Sequence, residues 1–187
     1  AYAAGAATAL ALAVRVGADA APGTSVRALD LRFLGKPDGG ELLLTPTVRE
    51  VGRHTRVVDV TVTQAGVDIA SASVTTGRVG ESAPTDVIDR VAGVPGPEGL
   101  DPFMIPPEIV PMGAQLDVRP VDGPLALTGA DEPWMRAWIT TRTPMAVDAG
   151  YLALLADCLP PAVFPILTAP LALPTVAFSM HVTAPLD

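Results

Sequence analysis

Cysteine is all but missing from this chain: Cys158 is the one thiol in 187 residues. That excludes an internal disulfide and a thiolate metal cluster, and it makes a reducing cytoplasm the expected compartment. Basic residues are scarce too, with 12 Lys and Arg against 20 Asp and Glu, a net charge of -8 and no basic run. A phosphate backbone is gripped by a concentrated positive face, so nucleic acid is not an expected partner. The only histidines are His54 and His181. No Ser-His-Asp set is evident, and neither a metal nor a cofactor is expected.

A long uninterrupted apolar helix is also lacking. Cys158 to Met180 carries no formal charge and has the length of a membrane span, but prolines at 160, 161, 165, 170 and 174 exclude a continuous helix, so no membrane partner is expected. The alanine-rich opening has the apolarity of a signal-peptide core without an initiating Met or a basic leader. It reads as a helix whose upstream partner strand has been cut away.

What is present is apolar and patterned. At 49% hydrophobic and 17% charged, the chain suits one compact body or two small halves sharing a core. Residues 2–16 are apolar or small all round, as in a helix buried on most sides, and Gly17 with the AAPG at 20–23 is read as its end. Residues 24–34 alternate, residues 36–40 form a turn, and residues 41–51 read as a strand that Pro46 confines to an edge or a bulge. Residues 54–64 set Val58, Val60 and Val62 against Asp59, Thr61 and Thr63; Ala65-Gly66 turns the chain, and residues 67–76 return.

Residues 79–132 are rich in Pro, Gly and acids and read as a linker, with a strand near 115–121. A second unit then begins with a strand over 133–141. Thr143-Pro144 and Asp148 mark a helix entry, Tyr151, Leu152, Leu154 and Leu155 a buried helical face, and residues 175–182 an alternating strand.

The two helix-then-strand patterns share one register. Tyr2 corresponds to Tyr151 and Leu31 to Met180, each at an offset of 149 residues (151 minus 2, 180 minus 31). The expected organisation is therefore an α+β tandem of two units, each a helix wrapped by a curved antiparallel sheet. The first spans 1–78 without its first strand, a linker spans 79–132, and the second spans 133–187 without its last strands.

Asp157 is the only charge between Ala149 and Met180. A carboxylate at a helix C-terminus is favoured neither by the macrodipole nor by apolar surroundings, so it needs a local reason. The structural reading is an aspartate that bonds the backbone amides of the Cys-Leu-Pro-Pro turn; the functional reading is a general base. Cys158 reads as packing rather than as a nucleophile, Trp134 and Trp138 as core or interface residues, and the histidines as surface residues. The same offset puts Thr8 where the second unit has Asp157, so only that unit carries the acid.

A helix wrapped by a curved antiparallel sheet, twice in tandem, is the hotdog arrangement, and ordered motifs point to one family that has it. They are Tyr-Ala-Ala at 2–4, Gly52-Arg53 before a valine strand ending at Gln64, Asp117-Val118-Arg119-Pro120-Val121, Trp138, Leu155-Ala156-Asp157, and Thr175 followed by Ser179-Met180. The set resembles the double-hotdog acyl-CoA thioesterases of the thioesterase II type. The resemblance implies that Asp157 orients and deprotonates the hydrolytic water, that Thr175 holds the same water, and that the substrate is an acyl-CoA or acyl-carrier thioester. It also implies a homo-oligomer. A third family residue, a glutamine on a later strand, has no counterpart here. A hydratase or dehydratase of enoyl thioesters and a non-catalytic binding protein are the alternatives; for the former, no histidine accompanies Asp157. For the anionic CoA, Arg53, Arg56 and Arg136 are the candidate contacts.

Overall fold

The computed structural model describes residues 2–50, 52–78, 91–104, 106, 110–183 and 186. They form two compact units, each assembled from separated stretches of chain. One comprises Ala1–Ser82, Ala146–Asp157 and Pro174–Asp187; the other comprises Ala83–Met145 and Cys158–Leu173. The division after residues 78 and 132 thus remains a proposal about repeats in the chain, distinct from these units.

In the first unit, helix α1 (Tyr2–Asp19) is followed by strands β1 (Ser25–Phe33), β2 (Leu43–Glu50), β3 (Thr55–Gln64) and β4 (Val67–Gly77). Helix α2 (Ala149–Ala156) and strand β7 (Ala177–His181) complete it. The strands make one antiparallel sheet in the order β2-β3-β4-β1-β7. Pro46 lies on β2, at one end of that order, where a residue without an N–H costs no central ladder bond. Ala65 and Gly66 both take positive φ, as the tight hairpin joining β3 to β4 requires.

Alternation along each strand sends one set of side chains inward. Val60, Ala72 and Leu31 face one another across three strands with Phe178 beyond, and Val58, Val74 and Leu29 form the next row with Met180 beyond. Against these rows α1 lays Ala6, Ala9, Leu10, Ala13 and Val14, a stripe at three-and-four spacing. Burying each large aliphatic chain of this cluster is worth about 1.5–3 kcal/mol, and the many alanines let helix and sheet approach closely.

Gly17 continues that stripe and does not end the helix, contrary to the sequence reading. A Cβ there would lie 2.7 Å from Val74 Cγ2, so the glycine serves close helix–sheet packing, and α1 runs on to Asp19.

β7 pairs antiparallel with β1. Asp30 stands opposite Ser179, Leu29 opposite Met180 and Leu31 opposite Phe178. Asp30 and Ser179 are 149 residues apart, and adding 149 to 29 and 31 gives 178 and 180. Each flanking pair therefore maps onto the other, as a local two-fold axis between Asp30 and Ser179 demands. β7 lies at the end of the sheet next to β1, and Phe178, Met180 and Val182 pack against the core that holds Ala149 and Ala153 of α2.

In the second unit, β5 (Leu116–Asp122) pairs antiparallel with β6 (Arg136–Thr141). Short 3₁₀ turns lie at Pro111–Gln115 and Phe164–Ile166. β6 begins three residues later than expected, leaving Trp134 outside the strand and 43% exposed. Trp138, within the strand, is half-buried and its indole N–H donates to the Pro95 carbonyl at 2.8 Å.

Candidate active site

α2 is short, apolar and held at both ends. Eight residues are too few to form a stable helix unaided. Asp148 is its N-cap: in extended conformation, its Oδ1 accepts the Tyr151 N–H at 2.7 Å. Such a cap contributes about 0.5–2 kcal/mol. At the far end the chain leaves the helix at Asp157, whose φ of -96° and ψ of 4° fall in the bridge region that active-site residues frequent. The Asp157 N–H closes the last turn on the Leu154 carbonyl at 3.3 Å. Its side chain is thereby left free of the local turn.

The Asp157 carboxylate meets Thr175 instead. Thr175 Oγ1 donates to Asp157 Oδ1 at 2.7 Å from 18 positions further along the chain, and both residues are half-buried. Thr175 lies two residues before β7 rather than within its ladder, so its orientation comes from this bond and from the approach to the strand. Burial raises the Asp157 carboxyl above the ordinary aspartate value, and the Thr175 hydroxyl pulls it partly back. A basic carboxylate with one oxygen fixed by a hydroxyl keeps its second oxygen for another donor.

The other sequence candidates are placed away from this pair or otherwise engaged. Cys158 is buried, with its sulfur 3.7 Å from Met112 Sδ, the environment of a packing residue. His54 and His181 are exposed. Arg136 is exposed and forms an ion pair with Asp122. Arg53 is exposed and Arg56 half-buried. Among the described residues, no group of His, Cys, Asp and Glu could hold a metal ion, and no helix is long and apolar enough to cross a membrane.

One participant escaped the sequence reading. Arg15 Nε donates to Asp148 Oδ2 at 3.0 Å and its Nη2 to Oδ1 at 3.4 Å, tying α1 to the cap of α2. Close by, a Cβ on Gly150 would fall 2.9 Å from the Ala11 carbonyl, so glycine lets the two helix backbones approach closely. A signal was available: Arg15 is the only charge in residues 1–18.

Family models match almost all of the chain. Residues 3–77 match the acyl-CoA thioesterase N-terminal domain and residues 88–187 the acyl-CoA thioesterase C-terminal domain. The chain belongs to the acyl-CoA thioesterase family. An uncharacterized protein of Mycobacterium tuberculosis H37Rv is 31% identical over 182 residues, covering 84% of this chain and 60% of that protein. This acyl-CoA thioesterase family chain thus spans about 60% of the length of the curated relatives it matches.

Solved structures establish the fold. A conserved protein of unknown function with hot dog fold from Alicyclobacillus acidocaldarius superposes with a TM-score of 0.75 at 23% identity, covering 87% of this chain and 60% of that one. A candidate thioesterase II from Thermobifida fusca YX gives 0.79 at 17% identity, covering 96% and 71%. The α+β hotdog architecture expected from the sequence is the one observed.

Proposed function

We propose that this acyl-CoA thioesterase family chain hydrolyses an acyl-CoA thioester to a free acid and CoA, with Asp157 as general base and Thr175 as its partner in holding water. The observation that carries the reading is the 2.7 Å bond between Thr175 Oγ1 and a half-buried carboxylate made more basic by burial. Water lodged between the second Asp157 oxygen and a lone pair of the Thr175 hydroxyl loses a proton to Asp157 as its oxygen attacks the thioester carbonyl. The tetrahedral intermediate then collapses, the carbon–sulfur bond breaks, and the thiolate leaves to take up a proton. General-base assistance of this kind contributes about 10²–10⁴-fold. The thiol is a good leaving group and the thioester carbonyl is already electrophilic, so beyond the base and the positioned water the reaction asks the protein for a donor to the developing oxyanion.

The test is thiol release from short- to long-chain acyl-CoA esters by the full-length polypeptide beside Asp157→Asn. Turnover in the parent with a loss of roughly 10²-fold or more in the variant is the expected result. Equal turnover in both would discard Asp157 as the base. Binding of acyl-CoA with no turnover at any chain length would replace hydrolysis by a purely binding role.

A further inference from the structure

α1 contributes to the core a face that is apolar apart from one guanidinium. Arg15 is partly exposed, at 35% for its side chain, and Asp148 at 44%, so their ion pair adds little to stability, about 0–1 kcal/mol for a pair of this exposure. What it fixes is geometry. Both nitrogens of Arg15 that meet Asp148 do so on the two oxygens of one carboxylate, while Oδ1 of that carboxylate also caps Tyr151. Gly150 lies close to the Ala11 carbonyl and the Arg15 stem, so the two helices meet at the end of α2 that Asp148 caps. α2 is a nearly rigid rod with Asp148 at one end and Asp157 at the other, roughly 13 Å apart at about 1.5 Å per residue. Sliding or tilting at the first end is transmitted to the second.

We propose that Arg15 is a positioning residue: through Asp148 it fixes the register of α2 on α1 and so holds the Asp157 carboxylate against Thr175. This rests on the assignment of Asp157 as the base. Losing either partner lets α2 settle elsewhere on α1 and lengthens the Asp157–Thr175 bond. A misplacement of about 1 Å at a reacting group can cost as much as about 10²-fold in rate, so a loss near 10-fold in kcat with KM little changed is the expected scale.

The direct field of the pair predicts a different pattern from positioning. Removing the Arg15 cation would by itself raise the Asp157 carboxyl, and removing the Asp148 anion would lower it; at roughly 13 Å both effects are largely screened at ordinary salt. Positioning acts in one direction for both. The groups that set the Asp157 carboxyl are burial and the Thr175 hydroxyl, and the latter holds it down, so loosening that bond raises it in either variant.

The experiment titrates the Asp157 carboxyl by ¹³C NMR in the parent protein, Arg15→Gln, Arg15→Lys and Asp148→Asn, alongside kcat, KM and Tm. The asparagine still accepts the Tyr151 N–H, which keeps the cap. Upward shifts in both Arg15→Gln and Asp148→Asn, lower kcat, nearly unchanged Tm and partial recovery in Arg15→Lys are expected. Opposite shifts in the two variants, or none in either, would overturn the inference. Should Arg15→Gln fail to fold, Arg15→Lys and Asp148→Asn decide it on the same terms. Because the titration needs no turnover, a parent without hydrolytic activity would fail the functional reading and leave this one separately tested.

Discussion

The two helices that meet across the Arg15–Asp148 pair are built on opposite plans. α1 runs 18 residues over a sheet of aliphatic rows and ends without a carboxylate in the core. α2 runs eight, is capped by Asp148, and stops at Asp157. The strands that follow are related by the axis between Asp30 and Ser179, yet at the 149-residue offset Thr8 and Val26 stand where the second stretch has Asp157 and Thr175. Val26 is buried in the core cluster and Thr8 is exposed. One stretch spends its sequence on packing; the other ends its helix early and accepts a half-buried carboxylate that packing alone would not select.

The largest loss is expected at Asp157. Asp157→Asn is expected to lower kcat by roughly 10²-fold or more in a thiol-release assay, while Thr8→Ala leaves kcat within about twofold. Thr175→Val should reduce kcat/KM by about 10-fold and move its acid limb to higher pH, because the hydroxyl that holds the Asp157 carboxyl down is gone. In the parent, that limb is expected to lie above the ordinary aspartate value already, because burial raises the Asp157 carboxyl.

Stability should respond with the opposite sign. The folded Asp157 carboxyl titrates above its unfolded value, so its protonated form is favoured on folding. That contribution is complete below the unfolded value, for which 3.8 is the reference, and is lost as pH rises through the folded one. Asp157→Asn should therefore raise Tm at neutral pH, with the gain vanishing as pH falls below that reference. A variant with lower Tm at pH 7 would show that the carboxylate is a structural partner in its own right.

The packing half is probed by Gly17→Ala, which sets a methyl 2.7 Å from Val74 Cγ2 and should cost about 1–3 kcal/mol in denaturant unfolding. The smallest effect concerns Thr76, fully buried between Val26 and Arg56 with no partner for its hydroxyl among the described residues. Thr76→Val should leave stability unchanged or improve it by up to about 1 kcal/mol, since the shape is kept and an unsatisfied donor is removed. A clear loss would mean that the hydroxyl has a partner.

Several features were legible because their signals are local. The valines of β3, the edge placement of Pro46, the turn at Ala65-Gly66 and the cap at Asp148 each follow from side-chain period or from backbone constraints within a few residues. Asp157 stood out because a charge in an apolar stretch needs an explanation. The end of α1 was misread because a glycine that permits close packing looks, in sequence, like one that stops a helix. Trp134 was misread because alternation continued on paper past the point where pairing begins.

The sequence by itself determined the order of helices and strands, which strand faces are apolar, and the one acid that the surrounding pattern cannot explain. Those properties reside in side-chain volume, polarity and period, and they travel with the segment wherever it is placed. Only the tertiary structure decided that β7 pairs with β1 about a two-fold axis, that Thr175 reaches Asp157, and that Arg15 grips a carboxylate 133 residues away. An antiparallel strand pairs by the same backbone bonds with any neighbour, and an arginine by the same fork with any carboxylate. The choice among partners is made where the aliphatic rows and the close helix contacts can be satisfied together.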